Sequence, residues 1–151
     1  MQEIWDWADE SLPEDRIPCN KEALIKLTRL DLCFNRLSKL PSSIGKLTNL
    51  AEIDLINNRL STLPDSIIEL TNLTKLEANK NQLTALPESI GQLSNLTALD
   101  VSNNQLIELP DSIGQLIRLK YLSIGGNQLN GLPESIDQDN IEIDFDLDPD
   151  Y

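Results

Sequence analysis

Residues 96–118 read LTALDVSNNQLIELPDSIGQLIR, and this pattern returns every 23 residues along the chain. One step back stands LTKLEANKNQLTALPESIGQLSN, starting at Leu73, and one step forward LKYLSIGGNQLNGLPESIDQDN, starting at Leu119. Copies also begin at Leu50 and Leu27, so five units follow one another without insertion or deletion. A fixed period of this length marks a solenoid, in which each unit buries its apolar face only against its neighbours.

Each unit has three parts. The first, LxxLxLxxN, alternates with the two-residue period of a short strand that turns one side to the core. It ends on Asn35, Asn58, Asn81, Asn104 or Asn127, where the chain must turn. A carboxamide both donates and accepts, so stacked copies can satisfy the turn backbones above and below them; a ladder of structural asparagines is expected. The second part, xLxxLP, crosses the edge. The third, PxSIGxL, places Pro41, Pro64, Pro87, Pro110 or Pro133 where a helical turn would begin. The expected architecture is α/β: a parallel sheet on one side and one short helical turn per unit on the other.

The ends depart from the pattern. Residues 1–26 hold a helical stretch, EIWDWADE, and then a degenerate repeat. The open end of a solenoid exposes a cross-section of aliphatic side chains, so Trp5 and Trp7 are expected to cap it, a ligand-contacting pair being the alternative. At the other end Asp139 takes the slot filled one unit earlier by Leu116, yet Phe145 and Leu147 lie 23 residues after Leu122 and Ile124. A sixth strand in the 23-residue register is expected, with Phe145 and Leu147 as its capping side chains. The whole chain, 1–151, then forms a single domain: 1–26 a cap with a degenerate repeat, 27–138 five repeats, 139–151 a capping strand.

The 151 residues carry 25 acids and 12 bases, a net charge of −13. Six acids and no base lie in residues 1–15, and eight acids and no base in 134–151, so the acidity sits at the ends. No basic stripe is available for phosphate backbones or anionic lipid surfaces, which argues against nucleic-acid and membrane partners. With two cysteines, Cys19 and Cys33, and no histidine, neither a disulfide framework nor a zinc site is written into the chain. No leader-like segment or membrane-length apolar run is present, and a cytoplasmic location is expected.

Strand alternation sends one set of side chains outward, in columns. One column is Asp31, Asp54, Glu77, Asp100, Ser123 and Asp146; beside it runs Arg29, Glu52, Lys75, Ala98, Tyr121 and Asp144. Opposite signs in the second column offset part of the repulsion in the first. On the other flank stand Cys33, Ile56, Asn79, Ser102 and Gly125, then Phe34, Asn57, Lys80, Asn103 and Gly126. The plain reading of this face is a solvated surface. The sharper one is a docking surface with Phe34, Ile56 and Tyr121 as apolar anchors among acids, suited to a basic partner.

Catalytic chemistry has little support. There is no histidine base, no phosphate-binding glycine loop, and no evident activating partner for either cysteine. Asp54 and Glu77 fall on neighbouring strands, but an open sheet encloses no pocket that would split their pKa values. The tail DFDLDPDY lacks the glycine and glutamate that a calcium loop needs; its alternating aspartates suit a charged edge strand, with weak cation binding as the alternative. No cofactor and no metal ligand set is expected.

These motifs resemble the leucine-rich repeat family in its 23-residue form, with LPxSIGxLxxL in the second half of each unit. The likeness extends to plant Ras-group-related and Ras-scaffold repeat proteins and to bacterial proteins with the same repeat, over about residues 17–147. It implies a right-handed solenoid with the parallel sheet on its concave side, and recognition of another protein through that sheet. The expected function is a monomeric, non-enzymatic interaction module of scaffold or adaptor type. An inhibitor or immunity-type protein, and an effector delivered into a host, remain alternative uses; a structural cation-binding protein is the alternative of another class. The residues expected to meet the partner are Arg29, Asp31, Phe34, Glu52, Asp54, Ile56, Lys75, Glu77, Asn79, Asp100 and Tyr121.

Overall fold

The computed structural model of the chain describes residues 2–11, 20–137 and 139–145. Six three-residue strands form one parallel sheet in chain order: β1 (Arg29–Asp31), β2 (Glu52–Asp54), β3 (Lys75–Glu77), β4 (Ala98–Asp100), β5 (Tyr121–Ser123) and β6 (Glu142–Asp144). Leu30, Ile53, Leu76, Leu99 and Leu122 pair across the first five strands, so one period in sequence is one step across the sheet. The central residue of each of these five strands is buried, and its two neighbours face outward.

The opposite side is built from 3-10 turns rather than α-helix: Ser42–Lys46, Asp65–Glu69, Ile90–Gln92 and Asp111–Gln115. Pro41, Pro64 and Pro110 stand one residue before these turns, in extended conformation, so proline acts as the cap instead of the first turn residue. Its carbonyl starts the turn: Ile44 N–H donates to Pro41 at 3.1 Å and Ile67 N–H to Pro64 at 2.9 Å. The tight i→i+3 winding suits a segment that must reverse within one turn. Between sheet and turns runs a continuous aliphatic core of Leu and Ile, one set per unit, that no single unit could bury alone.

At the N-terminal end, α1 (Gln2–Ser11) lies over the first turn. Ile4 and Trp7 are buried there, and Trp7 Nε1–H donates to the Lys39 carbonyl at 3.2 Å. The short α2 (Lys21–Ile25) is capped by Asn20 and buries Leu24. The side chain of Trp5, and Leu147 and Asp146, lie outside the described residues.

The C-terminal end corrects the expected register. Leu122 pairs with Ile143, not Phe145, a step of 21 residues instead of 23. The reason lies in the preceding segment. Unit 5 has a single turn at Pro133–Ile136 in place of a 3-10 helix, with Asp137 where the other turns carry glycine or Ile68, so the chain returns to the sheet two residues early. Ile143 thereby takes the inward slot, half-buried, and Phe145 is left 60% exposed; it does not cap the stack. Asp144 faces Ser123, and Glu142 faces Tyr121, so Asp144 belongs to the column assigned from sequence to Asp146.

Candidate binding surface

Two features hold the sheet face in shape: what its acids bind and how the loops after the strands turn. The acids of the central column are turn caps as well as charges. Asp31 Oδ1 accepts the Cys33 N–H at 3.0 Å, Asp54 Oδ1 the Ile56 N–H at 3.4 Å, and Asp100 Oδ1 both the N–H and the hydroxyl of Ser102, at 2.9 and 2.7 Å. An aspartate that reaches its own backbone two residues on stabilises a turn in just this way. Glu77, one methylene longer, instead takes the Lys75 ammonium at 2.7 Å, a hydrogen bond that raises the Lys75 pKa. In that unit Asn79 keeps a buried Oδ1 without a partner. In the neighbouring column Arg29 lies 3.7 Å from Glu52.

The asparagine ladder continues beneath. Asn81 donates to the carbonyls of Leu55, Ala78 and Asn79 at 2.9–3.2 Å and accepts the Leu60 N–H at 3.0 Å. Asn58 and Asn104 repeat the arrangement and are likewise buried; Asn127 repeats it half-buried, and Asn35 donates to Cys33. A second ladder on the far side went unread in the sequence: Asn49, Asn72 and Asn95 donate to the carbonyls of Ile25, Thr48 and Thr71. Their common spacing of 23 residues was the available signal.

Between strand and ladder residue, each unit places one residue in the left-handed region: Phe34, Asn57, Lys80, Asn103 and Gly126, with φ from 52° to 67°. Asparagine and glycine accept this conformation readily; for other side chains it costs roughly 1–2 kcal/mol. Unit 1 adds a second such residue, Arg36 at φ 57°. Phe34 is 69% exposed, so its ring recovers little of that cost by burial. Ile56 is half-buried beside it, Phe34 N–H donating to the Ile56 carbonyl at 2.9 Å, while Tyr121 is exposed three strands away. The structure therefore brings Phe34, Ile56, Asp31 and Asp54 together at one end of the sheet and leaves Tyr121 apart from them.

Cys33 sits among these acids and donates its thiol to Asp54. Burial, then the hydrogen bonds to Asp54 and Asp31 and their charges, push its pKa far up, so the sulfur stays a neutral thiol. Asp31, Cys33 and Asp54 offer three ligand atoms within 4.8 Å of one another, and the thiol-to-carboxylate hydrogen bond already joins two of the three groups. Cavities of about 490 Å³ and 210 Å³ lie off the face, the first beside Trp7 and Lys39, the second beside Leu116 and Ile141. Open, preformed and lined by short strands, the sheet side is suited to contact a macromolecular surface.

A family model described as leucine rich repeat matches residues 25–83 and 71–129. The chain belongs to the leucine-rich repeat family. Among solved structures, a leucine-rich repeat protein of Leptospira interrogans is 33% identical over 83% of this chain, with a TM-score of 0.59. The functional domain of InlJ from Listeria monocytogenes, described as including a cysteine ladder, is 33% identical over 72% of it, with a TM-score of 0.63. The chain spans 44% of the Leptospira protein and 22% of the InlJ chain. No curated protein matches it. Leucine-rich repeat proteins generally mediate protein–protein interaction, and their fold is typically non-enzymatic. Here Cys33 stands in a column continued by Ile56, Asn79, Ser102 and Gly125, so no cysteine ladder runs through it.

Proposed function

We propose that this chain is a protein-binding module of scaffold or adaptor type that docks a partner on the outward face of its sheet. The observation that carries this reading is Phe34: a large aromatic ring, 69% exposed, on a left-handed backbone where the other units hold Asn, Lys, Asn and Gly. Strain kept where the side chain gains no burial is characteristic of binding sites, and exposed aromatics supply much of interface energy. Ile56 extends the apolar area in the loop after the adjacent strand, where its carbonyl accepts the Phe34 N–H. Asp54 and Asp100 are half-buried in turn caps and Glu77 is paired, which favours a structural share in the role of the ladder acids over attraction of a basic partner alone.

The test compares partner capture by the wild type, by Phe34→Glu with Ile56→Lys, and by Ile117→Glu on the opposite side, where Ile117 is 84% exposed. Loss of a captured protein in the first variant and its retention in the second is the expected result. Loss only with Ile117→Glu would move the binding surface to the turn side.

A further inference from the structure

Building on the sheet-face reading, we infer that the loop end of units 1 and 2 receives a partner segment in which apolar side chains are flanked by carboxylates. Unit 1, residues 27–49, holds Arg29, Arg36, Lys39 and Lys46 against the single acid Asp31, and no acid occurs between Leu32 and Ala51. This is a local excess of base in a chain whose net charge is −13.

Two of the nearby cations are unspent. Arg29 lies against Glu52, and Lys39 lines the same groove as Glu3 and Asp6 beside Trp7. Arg36 and Arg59 are exposed, and neither forms an ion pair among the described residues. Backbone bonds hold their loops together: Phe34 N–H donates to Ile56 at 2.9 Å, and Arg59 N–H to Leu37, the residue after Arg36, at 2.8 Å. Asn58 Oδ1 locks the same loop by accepting the N–H groups of Asn35 and Leu37. Phe34, Arg36, Ile56 and Arg59 thus occupy two clamped loops, two apolar and two cationic side chains in all.

The backbone agrees with the charge. Phe34 and Arg36 are both left-handed and both exposed, so the two strained residues of unit 1 are the two that would touch the ligand. The nearest ladder acids, Asp31 and Asp54, lie on the strand side and are turned onto Cys33 and Ile56. A carboxylate entering from the loop side meets the guanidinium groups, which bind it through paired hydrogen bonds better than lysine would.

Two labelled six-residue peptides provide the probe: a central Leu-Phe pair flanked by two glutamates on each side, and the same pair flanked by lysines. Fluorescence anisotropy with the full chain is expected to show the acidic peptide binding at least about tenfold more tightly, with the preference shrinking as salt is added. Arg36→Gln with Arg59→Gln should weaken it about fivefold or more at unchanged circular dichroism, and Phe34→Asn should weaken both peptides. The inference is overturned if the lysine peptide binds as well or better, if the acidic peptide fails to saturate at millimolar concentration, or if the arginine variants bind it unchanged. Any of these results, with partner capture still dependent on Phe34 and Ile56, removes the charge preference and leaves the docking face standing.

Discussion

A Cβ on Gly45 would stand 2.5 Å from the carbonyl oxygen of Ser66, one unit further along the stack. Gly91 meets Ser112, and Gly114 meets Ser135, in the same way. These glycines are required by close approach, not by a positive φ. At the equivalent position of unit 2 stands Ile68, and the turn it faces is the one cut to three residues, Ile90–Gln92. The larger side chain thus coincides with a locally rearranged contact between turns. Gly91→Ala should cost about 1–3 kcal/mol by overpacking, whereas Ile68→Ala should cost less, because its neighbour has already given way. Urea unfolding midpoints of the two variants check the order, and the reverse order would contradict this account of the turn side.

Asn81 joins two units through four hydrogen bonds; Asn81→Ala leaves the buried Leu60 N–H without its acceptor, while the Leu55, Ala78 and Asn79 carbonyls each keep a second donor, from Asn58, Asn104 and Asn57. A loss of about 1–3 kcal/mol is expected, the cost of one buried donor left unsatisfied. Asn49→Ala, in the exposed second ladder, should cost under about 1 kcal/mol. Equal losses in chemical denaturation would mean that the inner ladder is not what ties the units.

Much of this was legible in the sequence because register is a property of spacing. Leu30, Ile53, Leu76, Leu99 and Leu122 align as their 23-residue separation requires, and the ladder asparagines follow. The last unit escaped the same logic, since strand pairing follows the length of the returning segment and that segment lost its 3-10 helix. The left-handed column also stayed hidden: Asn57, Asn103 and Gly126 hint at it, but Phe34 and Lys80 conceal it. The pairing state of a charge, as with Asp100 against Arg59, depends on side-chain directions that no column of letters supplies.

Phe34→Asn restores the residue found in units 2 and 4 at the left-handed position. Relief of the backbone should raise stability by about 1 kcal/mol. The same change should weaken partner binding, so stability and function would move in opposite directions. A variant that is both less stable and binds equally well would show that the ring serves packing.

The Cys33 thiol should alkylate slowly at pH 8, because burial and the Asp54 and Asp31 carboxylates raise its pKa in the fold. Asp54→Asn should speed the reaction with iodoacetamide in the native state. The linkage has a definite sign: the folded form holds the proton longer, so the contribution is complete below the ordinary thiol value of 9.0 and declines as the pH rises above it. Unfolding midpoints measured from pH 7 to pH 10 should therefore fall less at the alkaline end in Cys33→Ser than in the wild type.

The partner is expected to lie on the sheet face beside Phe34. A photo-cross-linking residue placed at position 34 and, separately, at position 117 tests it without assuming an affinity. A partner adduct from position 34 and none from position 117 is the predicted result; an adduct confined to position 117 would contradict it.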